Sequence, residues 1–272
     1  FFQAEDGIRD RSPSRGLGDV YKRQLPNKSS QLGPGMAWGD IDGDGDDDIF
    51  IGGSAGFVGM LFLNLGGGQY KNTLQLCFND DIRSEDMGSL FIDFDRDGDL
   101  DLYVVSGGVE CEPGEAVLRD RLYINDGTGK FSKGSLDLLP DIRSSGSVVA
   151  AADIDGDSIL ELFVGGRIIP GKYPEAPQSY VLRYTGSKYE DATDVLAPEI
   201  KQVGMVTSAL FSDVDGDHQP DLLVTYEWGP VRYFHNESGR LIDRTEETDL
   251  ANQLGWFNSI SGGDIDLSLI HI

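Results

Sequence analysis

One repeated motif limits what this chain can fold into. Asp-x-Asp-x-Asp starts at Asp40, Asp93, Asp153 and Asp213, and a fifth copy keeps only Asp264 and Asp266. The starts are 53, 60, 60 and 51 residues apart. An apolar stretch precedes each loop, as at residues 36–39, and a second apolar run follows, at 49–51, 102–105, 162–164 and 222–226. These runs are short and rich in β-branched and aromatic residues, and most close on glycine, which is the pattern of a buried strand. A further strand pair follows in every unit. Residues 61–64 and 69–70 flank Gly66, Gly67 and Gly68, and the later pairs turn at Asp126-Gly127, Thr185-Gly186 and Ser238-Gly239. No stretch carries helical periodicity. Four short strands per unit of this length are the blade of a β-propeller, whereas the period is long for a solenoid and too regular for a sandwich. The expected fold is therefore all-β: a β-propeller fragment with four complete four-stranded blades plus the start of a fifth.

The flanks read differently from the repeats. Residues 19–24 are what GAT GTG TAT AAG AGA CAG encodes, and residues 267–272 are what CTG TCT CTT ATA CAC ATC encodes. The two strings are reverse complements and resemble a transposon end used in sequencing-library preparation. Residues 3–10 resemble a translated flow-cell adapter. Residues 1–24 and 267–272 are thus expected to be adapter translation, with the blades filling 25–266. On that reading the termini say nothing about a signal peptide.

The loops explain the charge. The chain carries 47 acids against 22 bases, a formal charge of -25, and the five loops hold 21 of those acids. Such a field excludes nucleic acid or an anionic membrane surface as the partner of the bulk charge. No apolar run reaches the 18 residues of a membrane span. Three histidines leave little for a histidine-built zinc site.

The acids stand at positions 1, 3, 5 and 9 of each loop: Asp40, Asp42, Asp44 and Asp48; Asp93, Asp95, Asp97 and Asp101; Asp153, Asp155, Asp157 and Glu161; Asp213, Asp215, Asp217 and Asp221. Carboxylates converging at that spacing suit a hard cation, and Ca2+ accepts six to eight oxygens in flexible geometry. Position 7, filled by Asp46, Asp99, Ile159 and Gln219, is expected to offer its backbone carbonyl. An EF-hand needs Glu at position 12, but Ile51, Val104, Val164 and Val224 stand there. Position 6 is Gly45 and Gly98 in the first two loops but Ser158 and His218 in the others. A non-glycine residue held at positive φ costs about 1 kcal/mol, so the first two loops are expected to bind more tightly. The competing reading is that these aspartates only cap polar turns.

On those residues the chain resembles the FG-GAP/VCBS repeat family, the calcium-loop propellers that include integrin α-chain heads. Residues 164–167, 170–174 and 255–259 further resemble bacterial secreted propellers related to cartilage acidic protein, which often carry an UnbV-type domain. The resemblance implies calcium as cofactor, a larger ring, an extracellular or cell-surface location, and an extracellular protein or glycan as ligand. The leading expectation is a non-catalytic binding or adhesion module. An alternative is the propeller domain of a secreted polysaccharide-active, lyase-like enzyme, for which Glu110, Glu112 and residues 226–228 are the only suggestive clusters; no Gly-x-Ser-x-Gly or phosphate-binding Gly-rich loop occurs. A third reading makes the chain a structural spacer. Cys77 and Cys111 are open to a disulfide or to two free thiols. Two sequons begin at Asn27 and Asn236. The segments 107–121 and 167–179 are expected to be long surface connections, the second stiffened by Pro170, Pro174 and Pro177.

Overall fold

The computed structural model describes residues 32–263. Both expected adapter segments, the Asn27 sequon and the fifth motif at Asp264 and Asp266 lie outside the described residues.

Strands form where the apolar runs and glycine turns place them. The first sheet holds β1 (Met36–Gly39), β2 (Asp48–Ile51), β3 (Met60–Asn64) and β4 (Tyr70–Thr73). The second holds β5 (Glu85–Ile92), β6 (Asp101–Gly107), β7 (Arg121–Asn125) and β8 (Phe131–Lys133). The third holds β9 (Ser145–Ala152), β10 (Glu161–Ile168), β11 (Tyr180–Tyr184) and β12 (Tyr189–Asp191). In the fourth, β13 (Val206–Ser212) and β14 (Asp221–Tyr226) are separated from β16 (Arg232–Asn236) and β17 (Leu241–Asp243) by the two-residue β15 (Gly229–Pro230). Every sheet is an antiparallel meander in chain order, and β15 pairs separately with β18 (Leu254–Gly255).

The four sheets pack as consecutive blades through their first strands: β1 meets β5, β5 meets β9, and β9 meets β13. The approach is close. A Cβ on Gly88 of β5 would stand 2.8 Å from the Val148 Cα of β9, so only glycine fits there. Second strands are covered on both faces, and every residue of β6 and β10 is buried. Their side chains alternate between two cores, as the two-residue strand period requires. Leu102 and Val104 join Phe50, Leu61 and Tyr123 between the first two blades. Tyr103 and Val105 join Leu162 and Leu182 between the second and third. Phe163, Val181, Leu222 and Phe234 fill the next interface. Each such side chain contributes about 1.5–3 kcal/mol by leaving water.

Four complete blades are present, as the repeat indicates. Residues 256–263 form no strand, so the start of a fifth blade is not seen among the described residues; a first strand needs a second to pair with. Among the described residues the only α-helical segment, Thr193–Leu196, is a single turn. Cys77 and Cys111 are free thiols, which closes the disulfide reading. The proline-rich connection is only partly a surface loop: Lys172 and Pro174 are exposed, while Pro170 and Pro177 are buried and Tyr173 packs on Val109 and Ile168. Among the described residues, no helix is long and apolar enough to cross a membrane.

Candidate metal centres on the blade loops

Each Asp-rich loop joins the first strand of a blade to the second, so the four loops share one edge of the blade array. The ninth-position acids open β2, β6, β10 and β14 and are fully or almost fully buried. They brace the backbone. Asp48 accepts the Ile41 amide at 3.0 Å and the Asn64 amide at 2.7 Å, joining the loop to the third strand. Asp101 does the same with Phe94 and Asn125, and Asp221 with Val214 and Asn236. Burial raises the Asp101 carboxyl to about 6 against these hydrogen bonds, with Asp95 and Asp97 adding repulsion. Asp48 is also raised, chiefly by burial.

The first-position acids organise the turn. Asp40 accepts the Gly43 and Asp44 amides on Oδ1 and the Gly45 amide on Oδ2. Asp153 and Asp213 repeat this pattern. Position 6 requires positive φ throughout: 91° at Gly45, 97° at Gly98, 67° at Ser158 and 70° at His218. Position 4 requires it as well, and there the second loop carries Arg96 at 65° where the others have glycine. Only the first loop therefore has glycine at both left-handed positions. The second loop shares the position-6 glycine, Gly98, but carries Arg96 at position 4.

The acids converge as their spacing implies. Ligand oxygens of Asp40, Asp42 and Asp48 lie within 4.8 Å of one another, as do those of Asp93, Asp95 and Asp97, of Asp153, Asp155 and Glu161, and of Asp213, Asp215 and Asp217. The fifth-position acids Asp44 and Asp157 stand outside their groups and bond the position-7 amides of Asp46 and Ile159. Asp97 bonds Asp99, and Asp217 bonds Gln219, in the same way. The position-7 residues thus enter as amide donors to the turn.

Two oxygens decide whether a cation fits. Asp42 Oδ1 and Asp93 Oδ1 are buried and have no hydrogen-bond partner. A buried carboxylate oxygen without a donor is costly, and a hard cation is the partner that its converging neighbours would share. Burial, with Asp44 next in size, raises the Asp42 carboxyl; burial, with Asp97 next, raises Asp95. Both shifts describe groups held close without a counter-charge. The first two loops fit a divalent ion.

The residue facing the ninth acid distinguishes the other two. In the third loop Arg183 pairs with Asp155 and approaches Glu161 Oε1 at 3.4 Å. In the fourth, His235 Nδ1 lies 3.0 Å from Asp221 Oδ1 and 3.5 Å from Asp215 Oδ2.

A model of the FG-GAP-like repeat matches residues 40–104 and 113–164, which carry the first three loops. Those two stretches are FG-GAP-like repeats. No curated protein matches it. Among solved structures, a lectin of Agrocybe aegerita, described for its specific recognition of non-reducing terminal N-acetylglucosamine, aligns at 18% identity and TM-score 0.48. The alignment covers 77% of this chain and 52% of the lectin, so this chain spans about half the lectin's length. BBS1N in complex with ARL6DN aligns at 14% identity and TM-score 0.30, covering 78% of this chain and 80% of that one.

Several residues of these FG-GAP-like loops are not visible as loop residues in the sequence. Asn125 of the second blade donates to the Ile41 carbonyl of the first loop, and Asn236 of the fourth donates to Ile154 of the third, both at 2.8 Å. A Cβ on the hairpin Gly239 would stand 3.0 Å from the Asp155 Cβ, and one on Gly129 would stand 3.1 Å from Leu63 Cδ2 beside Asp42. The first and third loops are thus joints between neighbouring blades. The repeated Asn at the end of the third strand is the one signal that could have shown this.

Glu227 and Glu110, the acids that an enzyme reading would draw on, sit in different surroundings. Glu227 pairs with Arg167 at 2.6 Å, both buried, and accepts the Tyr173 hydroxyl at 3.0 Å. Glu110 and Cys111 line a cavity of about 230 Å³ with Glu85, Glu115 and Arg83. Burial, followed by Glu110 and Asp86, pushes Glu85 up to about 7; burial, followed by Glu115, pushes the Cys111 thiol up to about 11.

Proposed function

We propose that this FG-GAP-like chain is a calcium-stabilised, non-catalytic binding module that recognises a protein or glycan partner outside the cell. The observation that carries the calcium part is the pair of buried, unpartnered oxygens, Asp42 Oδ1 and Asp93 Oδ1, each within a convergent set of three carboxylates. Calcium there would neutralise charge at a joint between blades and hold the loop edge in one conformation. Weak extracellular calcium modules work at about 0.1–1 mM, a concentration available outside the cell. The family is one of binding and structural modules, and the variable second-to-third strand connections provide a surface for a partner.

The test is a thermal melt of the chain in chelator and in about 1 mM calcium. A rise in Tm that Asp42→Asn with Asp93→Asn abolishes is the expected result. A cooperative melt indifferent to calcium would remove the calcium role. Release of sugar or of unsaturated product from a polysaccharide panel would favour the enzyme reading instead.

A further inference from the structure

The four blades allow a comparison at one position, the third-strand residue opposite the ninth-position acid. Extending each strand register by one residue puts Leu63 opposite Asp48, Ile124 opposite Asp101, Arg183 opposite Glu161 and His235 opposite Asp221. In the first two blades that residue is aliphatic and offers nothing to the carboxylates. In the third it is a guanidinium already among them. Arg183 pairs through Nη2 with Asp155 and through Nε with Glu161, two of the three acids that converge in that loop.

Three further departures occur in the same blade. Glutamate replaces aspartate at position 9, and its extra methylene carries Oε1 to Arg183, where an aspartate oxygen elsewhere accepts the third-strand amide. Oε2 keeps the loop bond, accepting from Ile154 at 2.9 Å. Tyr184 stands where Asn64, Asn125 and Asn236 stand in the other blades. The third loop also has no buried carboxylate oxygen without a partner, unlike the first two. A guanidinium presents a fixed fork of donors suited to two carboxylates, and it cannot be deprotonated at ordinary pH.

We infer that Arg183 takes the place of a divalent cation in the third loop, so that this joint is closed by a tethered charge and holds no calcium. The inference rests on the proposed calcium role of the first two loops. It also gives a reason why Ser158 is tolerated at positive φ in a turn whose closure does not depend on metal affinity.

Equilibrium dialysis of the full chain against calcium, with bound metal counted per chain, tests this directly. Arg183→Leu installs the side chain of the first blade, and the expected result is one more calcium per chain than the wild type. Asp155→Asn in the wild-type background is expected to leave the count unchanged, and it decides the matter if Arg183→Leu does not fold. A folded Arg183→Leu variant with no added calcium, or loss of one calcium in Asp155→Asn, would overturn the inference. Failure of the underlying reading looks different: the wild type itself would bind no calcium at the first two loops, and Asp42→Asn with Asp93→Asn would change nothing.

Discussion

The first and third loops share a spacing of acids and differ in how those acids are satisfied. Both use the first aspartate to collect three turn amides, and both lie under an asparagine donated by the next blade. In the first loop the remaining charge faces aliphatic Leu63, leaving Asp42 Oδ1 buried and unpartnered. In the third the same charge faces Arg183. A loop motif therefore specifies where negative charge converges, whereas the strand packed beside it specifies what answers that charge.

The largest expected difference comes from removing the ninth acid in chelator. Asp48→Ala strands two amides, those of Ile41 and Asn64, and should cost about 3 kcal/mol. Glu161→Ala strands one amide and frees an arginine that already reaches solvent, and should cost about half as much. Urea denaturation gives both values, and equal losses would break the comparison.

Calcium should separate the loops next. At about 100 times its dissociation constant an ion adds about 2.7 kcal/mol per filled site. Asp42→Asn should remove one such increment, and Asp155→Asn none, in paired melts with and without the ion.

Backbone strain sharpens the ranking further. Ser158→Gly, His218→Gly and Arg96→Gly should each stabilise by about 1 kcal/mol, because each residue sits at positive φ. Gly45→Ser should cost a similar amount in the first loop. For a chain of this size such changes move Tm by about 2–4 °C. A neutral Arg96→Gly would return the second loop to the rank its position-6 glycine suggested.

The last comparison belongs to the opposite edge and sets the background for the others. Glu85 titrates at about 7 in the folded chain and near 4.5 when unfolded, so between those values the folded state holds the extra proton. Stability is accordingly greatest below about 4.5 for this group and declines as pH rises through about 7. Glu85→Gln should flatten that slope by at most one proton in chelated melts across pH. An unchanged slope would assign the background to another group.

The sequence identified the blades well because each element is local. Apolar runs, glycine turns and the loop spacing lie within a few residues, and the observed strands follow them. The requirement for positive φ at position 6 was legible for the same reason, since Gly45 and Gly98 mark it. The parallel requirement at position 4 was masked by Arg96 in a loop whose acids are otherwise complete. Residues 256–263, read as the approach to a fifth blade, lack a partner strand and form none among the described residues.

What the sequence determined alone is the period, the all-β blade and the convergence of acids on four turns, because strand alternation and turn chemistry act over short chain distances. Tertiary structure decided which carboxylates find a donor, which keep a bare oxygen, and which meet Arg183 or His235. Those pairings join residues 14 to 28 apart within a blade and more than 80 apart between blades. Only strand register and blade packing bring them within hydrogen-bond reach.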